Sequence, residues 1–172
     1  MGPIGQPTIT FATAVRAAGL TNRQLRGWVD KKQVHLHGDS ERTDGQWRRF
    51  SPVDVARLAL IGEIVKHGVG VVDAQRIVAN TVDPAFLRLA SFKSAPIETI
   101  AQSCRDMVLI VIVSDESADG HVFFVTDENA LQEVFRDGSS FVWIHVATIV
   151  ARALRRLLEP DAEEDAEASP PS

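Results

Sequence analysis

The sequence predicts an α+β fold in two unequal parts: four helices and one β-hairpin over the first half, then a small β-β-α-β-α unit and an acidic tail. Three observations predict it. Apolar residues recur at helical spacing through residues 10–80, bracketed by capping residues and glycines. One stretch inside that region, Val34 to Phe50, instead sets turn formers between two β-capable runs. The period then changes at Met107 to Val113, a continuous aliphatic run of strand length that fits a strand buried on both faces.

The elements follow in order. Residues 1–8 hold two prolines and two glycines and form a loose leader. Thr10 caps a first helix, Phe11 to Ala18, with Phe11, Ala14, Val15 and Ala18 on one side, and Gly19 stops it. Thr21 caps a second, Asn22 to Val29, with Leu25 and Trp28 or Val29 inward. Two short helices across so brief a turn make a helix-turn-helix, whose second helix enters the major groove. The hairpin at Val34 to Phe50 follows directly and is cationic, as a wing is. Ser51 and Pro52 open the third helix as N-cap and first-turn proline, Leu58, Ile61 and Val65 mark its inner side, and Gly68 ends it. Val72 to Asn80 forms the fourth, with Ala74, Ile77 and Val78 inward. Residues 81–105 are a partly helical connector, with short helical patterns at Phe86 to Phe92 and Ile97 to Cys104. Strands follow at Met107 to Val113, His121 to Thr126 and Phe141 to Val146, with a helix at Glu128 to Phe135 between the second and third. Ile149, Val150, Ala153, Leu154, Leu157 and Leu158 stripe a last amphipathic helix. The expected division is therefore a winged helix domain at 9–80, the connector at 81–105, an α/β dimerisation or effector domain at 106–159, and a disordered tail at 160–172.

Composition narrows the function. Of 172 residues, 45% are apolar and 24% charged, which suits a globular chain rather than a fibre or a disordered one. The longest apolar run is far shorter than the roughly 20 residues of a membrane-spanning helix, and the first residues lack the basic start and apolar stretch of a secretion signal. No membrane association and a cytoplasmic location are expected. Cys104 is the only cysteine, which excludes an intrachain disulfide and a multi-cysteine metal cluster. The net charge of −5 conceals its distribution. Residues 1–80 carry 11 basic and 7 acidic residues, a net +4, whereas residues 81–172 carry 7 and 16, a net −9. A basic front half suits a nucleic-acid partner that the overall charge would argue against.

The front half resembles the DNA-binding domain of the MerR family of winged-helix regulators. Four stretches carry the resemblance: Leu25-Arg26-Gly27-Trp28 in the second helix, Trp47-Arg48-Arg49-Phe50 at the end of the wing, Ser51-Pro52-Val53-Asp54 at the start of the third helix, and Gly68-Val69-Gly70-Val71-Val72 before the fourth. Their order and spacing agree over about Ile9 to Val78. Pro84 and Pro96 break the long dimerisation helix the family places after this point, and one cysteine does not support the thiolate site of metal-sensing members. The resemblance implies double-stranded DNA as partner, packing roles for Trp28, Trp47 and Phe50, and a backbone contact for Arg48.

The candidate DNA-binding residues fall into two groups. Arg23 and Arg26 lie three apart and project from one helix face, where a guanidinium can donate bidentately to guanine, while Asn22 and Gln24 offer amides able to read adenine. Arg16, Lys31, Lys32, Arg42, Arg48 and Arg49 are candidate phosphate contacts, which position without specifying. Asp54 is expected to stabilise the start of its helix. His35 and His37 alternate as a surface pair and no metal site or cofactor is expected. Cys104 reads as a small buried thiol. No phosphate-cradling loop, paired-carboxylate motif or nucleophile elbow is present in the sequence, so an enzyme is not expected.

A unit of about 55 residues has little interior. Phe141, Trp143, Ile149, Val150, Ala153, Leu154, Leu157 and Leu158 are accordingly assigned to a homodimer interface, with Arg152, Arg155 and Arg156 on the solvated side. The leading function is a sequence-specific, homodimeric transcription regulator. The alternative is a protein-interaction adaptor, antitoxin or phage-type control factor whose C-terminal part grips a protein partner, and a small-molecule effector site in that part is a third reading.

Overall fold

The computed structural model describes residues 6–36, 48–90, 98–113, 118–124 and 140–159. Seven helices and three strands occur among them: α1 Phe11–Ala18, α2 Asn22–Asp30, α3 Pro52–Lys66, α4 Val71–Thr81, α5 Asp83–Ala90, α6 Glu98–Ser103, β1 Met107–Val113, β2 Ala118–Phe124, β3 Ser140–His145 and α7 Val146–Leu158. The expected wing residues His37, Arg42 and Trp47, the helix expected at Glu128 to Phe135, and the acidic residues from 160 onward lie outside the described residues.

α3 is the hub. Its start is a reciprocal capping box: the Asp54 N–H donates to Ser51 Oγ at 3.1 Å, while the Ser51 N–H and hydroxyl donate to Asp54 Oδ2 at 2.9 and 2.8 Å. Both residues are fully buried, so the box satisfies groups that water cannot reach. Buried residues cover almost the whole circumference of α3, from Pro52 to Ile64, because α1, α4, α5 and α7 all pack against it. The chain before α1 is tied down by an antiparallel bridge in which Ile9 and Phe50 exchange N–H···O bonds of 2.9 Å. Phe50 is completely buried and meets Phe11 edge-on, with ring centroids 6.0 Å apart. Val34 and Leu36, expected as the wing's first arm, insert into the core.

The sheet is antiparallel, in the order β2-β1-β3. As the central strand, β1 is buried on both faces, with Val108 and Ile110 as inaccessible as Leu109 and Val111. Leu109 and Val111 join Ile144 and Val142 on the face that belongs to the main core. Gly120 sits across from Val111 on that face, and β2 there packs on α4. A β-carbon at residue 120 would collide with Ile77 Cγ2. Gly120→Ala is therefore expected to cost about 1–3 kcal/mol, a fall in Tm of about 2–4 °C per kcal/mol for a chain of this size. Adding Ile77→Ala should cost less than the two single changes combined, which calorimetry on the four proteins of the cycle would measure.

The final helix departs from the sequence reading. Its apolar stripe was expected to cover itself against a second subunit, but α7 packs along α3 and α1 of its own chain. Val150, Ala153 and Leu154 are buried in the same cluster as Ala14, Ala17 and Leu58, and Ile149 and Leu157 pack partly buried against it. The physical reason is the small interior of a three-stranded sheet: an amphipathic helix that follows it directly finds apolar cover on the helical half. Of the residues assigned to a dimer interface, Phe141, Trp143 and Leu158 stay exposed, at 41%, 43% and 54%.

Two polar ties join elements distant in sequence. Arg57 Nη2 and Asp83 Oδ2 form an ion pair of 2.8 Å between α3 and α5, with side chains only 7% and 12% exposed. Arg76 on α4 reaches Asp119 and Asp73 at 3.0 and 3.3 Å and donates to the Ala118 carbonyl at 2.7 Å. The bonds to Asp119 first, and then Asp73, hold its pKa above the usual arginine value. Cys104 is fully buried, and desolvation raises its thiol pKa against an opposing contact from Ser103. Among the described residues, no helix is long and apolar enough to cross a membrane.

Candidate nucleic-acid interface

The candidate interface is built from α1, the turn after it, and α2. Thr10 accepts the Thr13 N–H at 3.3 Å to start α1. Gly19 ends it in the left-handed region at φ 69°, with its own N–H on the Arg16 carbonyl and the Leu20 N–H on the Val15 carbonyl. Two residues later the next helix begins, capped reciprocally by Thr21 and Gln24: the Gln24 N–H donates to Thr21 Oγ1 at 3.2 Å, and the Thr21 N–H to Gln24 Oε1 at 2.9 Å.

α2 ends in the same backbone motif as α1, with the Lys32 N–H on the Val29 carbonyl and the Gln33 N–H on the Trp28 carbonyl. Here the left-handed position, φ 54°, belongs to Lys32 rather than to a glycine. That conformation is costly for a residue with a β-carbon, and it fixes where the Lys31–Lys32 pair leaves the helix. Leu25 and Trp28 face inward, 0% and 8% exposed. Asn22, Arg23 and Arg26 face out. Spacings of three and four bring these three side chains onto one surface, with the exposed Lys31 and Lys32 beyond its end.

The remaining sequence candidates divide. Arg49 is exposed and Arg48 half-buried. Gln24 was assigned to adenine, but its Oε1 holds the helix cap and also accepts the Thr21 hydroxyl at 2.9 Å. Arg16, assigned to phosphate, is half-buried and donates through Nη2 to the Glu159 carbonyl at 3.2 Å, tying α1 to the end of α7. Sequence reasoning missed that α7 borders this surface at all. The signal was the amphipathic stripe itself, which required a partner and found the nearest one.

The short turn, the paired caps and the outward basic face are the geometry of a helix-turn-helix. Residues 9–81 match the MerR HTH family of regulatory proteins. No curated protein matches the chain. The MerR-type region takes in α1 through α4 and ends where the chain turns at Val82, ahead of α5. The family's Ser-x-x-Asp element is the buried capping box of α3, and Phe50 of its wing-end triplet is the buried partner of Ile9. The remainder of the chain, the sheet and α7, lies outside the matched residues.

Proposed function

We propose that the protein is a non-enzymatic, sequence-specific transcription regulator that binds double-stranded DNA as a homodimer in the cytoplasm. The observation that carries this reading is the face of α2 in a MerR-type region: Asn22, Arg23 and Arg26 exposed together, with the inward side locked by Leu25 and Trp28. Arg23 and Arg26 read bases in the major groove, with Asn22 beside them. Lys31, Lys32, Arg48, Arg49 and the wing residue Arg42 hold phosphates. The dimer forms through the exposed aromatic pair Phe141 and Trp143 on β3, assisted by Leu158. It spaces the two recognition helices about 34–36 Å apart, one turn of the duplex.

A titration of binding against salt tests the DNA-binding reading. The logarithm of the affinity is expected to fall linearly with the logarithm of salt, at about −0.9 per phosphate neutralised. With about four to six such contacts per protomer the slope is steep. An affinity indifferent to salt would sink the proposal. Light scattering tests the dimer separately: Trp143→Lys should yield a monomer that keeps its fold, because Trp143 is 43% exposed.

The same aromatic pair also favours a second reading, a protein-interaction adaptor, antitoxin or phage-type control factor that presents β3 to a different protein. Co-purification of a stoichiometric partner, abolished by Trp143→Lys and accompanied by weak DNA affinity without it, would support that reading over the first.

A further inference from the structure

A cleft of about 140 Å³ opens where α1, α3 and α7 meet. Small residues on all three helices, Ala59 and Ala153 among them, leave the space. The groups around it are mostly cationic: Lys66 from α3, and Arg152 and Arg156 from α7. Among the described residues Glu63 is the one carboxylate in the lining, and it is engaged, with Oε2 taking the Lys66 Nζ at 3.0 Å and Oε1 3.9 Å from His67 Nε2. Among the described residues, neither Arg152 nor Arg156 makes an ion pair or a hydrogen bond. The neighbouring Glu159 side chain lies 4.0 Å from Arg155 instead. Arg156 is half-buried and close to the backbone of α1's terminal turn, where a β-carbon at Gly19 would lie 2.9 Å from its Nη1.

Two guanidiniums lining one cleft, next to a lysine and with one committed carboxylate among the described residues, make a positive surface that favours an anion. Their planar forks match the paired oxygens of phosphate or carboxylate. The volume is far above the roughly 10–15 Å³ that one water needs, so such a group fits together with bridging waters. We propose that this cleft is an oxyanion-binding site for a small phosphate- or carboxylate-bearing ligand, held bidentately by Arg152 and Arg156 with Lys66 in support. The reading of α2 as a DNA-binding helix plays no part in this argument. The place of the site matters, because its ligand would bridge the last helix to the helix-turn-helix and so tighten the contact between them.

Two sources can supply the same chemistry: a free anion, or the carboxylates of Asp161, Glu163, Glu164, Asp165 and Glu167 just beyond α7. The probe is inorganic phosphate, titrated by calorimetry into the full chain without DNA at constant ionic strength. Saturable binding is expected, with a rise in Tm as phosphate is added. Arg152→Ala with Arg156→Ala should weaken it about tenfold or more, and Glu63→Gln should strengthen it by freeing Lys66. Should the double variant fail to fold, Arg152→Glu alone, at an exposed position, is expected to weaken binding in the same direction. A full chain with the five tail carboxylates changed to amides separates the sources. Tighter phosphate binding in that chain assigns the site to the tail, and unchanged binding assigns it to a free anion. Absence of saturable binding in both chains, or binding that survives the arginine substitutions, overturns the proposal.

Discussion

Asp83→Ala is expected to destabilise the protein by about 3–5 kcal/mol, the cost of leaving one member of a buried ion pair without the other. Arg57 is 6% exposed on a helix where Val55, Ala56, Leu58, Leu60 and Ile61 are all buried, so its guanidinium is left with little access to water once the 2.8 Å partner is gone. Removing Asp83 also takes the acidic residue from the first turn of α5, a smaller loss of under about 1 kcal/mol. The urea midpoint should fall with little change in slope, since the same surface is exposed on unfolding. The decisive comparison is Arg57→Met with Asp83→Leu. If the cost comes from an uncompensated charge, the double apolar variant recovers most of the lost stability, because apolar groups of similar volume replace buried pairs at little cost. If it is as unstable as Asp83→Ala, the pair acts through its geometry, as the pin between α3 and α5.

That pair marks a limit of what the sequence discloses. Caps, stops and periodicity are local, and they were legible: Thr10, Thr21 and Ser51 all start helices, Gly19 and Gly68 lie at helix ends with positive φ, and the Met107–Val113 run is the central strand. Arg57 read in sequence is one charged residue among apolar ones, and only the fold brings it to Asp83, 26 positions later. α7 fails in the same way. Its stripe was legible as an apolar surface in need of cover, but periodicity does not say which surface covers it, and the cover came from α3 and α1 of its own chain.

The candidate interface was legible to a similar depth. Spacing of three or four identifies Arg23 and Arg26 as co-facial, and the structure exposes both. Side chains with two available uses also make contacts within the protein that the sequence did not disclose. Gln24 stands three residues after a capping threonine, the position at which a glutamine reaches back to close the cap, and that local hydrogen bond takes the oxygen that was expected to read a base. Arg16 stands one turn before a helix end that α7 covers, so its guanidinium meets the Glu159 carbonyl. Both lie on helices that the sequence placed, and tertiary or capping contacts engage the side chains.

The consequence for binding is a contrast between neighbours on α2. Arg23→Ala with Arg26→Ala is expected to leave the thermal midpoint within the small range typical of exposed positions, since both side chains are exposed and neither contributes to the core. Affinity for a site selected from random duplexes should fall steeply, because each bidentate contact to guanine carries about 1–3 kcal/mol of discrimination. Affinity for unrelated DNA should fall much less, so the ratio between the two is the measured quantity. Gln24→Ala is expected to behave in the opposite way. Removing it opens the cap of α2, which costs of the order of 1 kcal/mol in stability, and its effect on the ratio should be small. Anisotropy titrations on the two variants, run beside their melting curves, separate a residue that reads DNA from one that holds the reading helix together. If the double arginine variant binds the selected site as the parent does, α2 is not the recognition helix. The specificity would then have to come from the wing, where Arg42, Arg48 and Arg49 are the remaining cations.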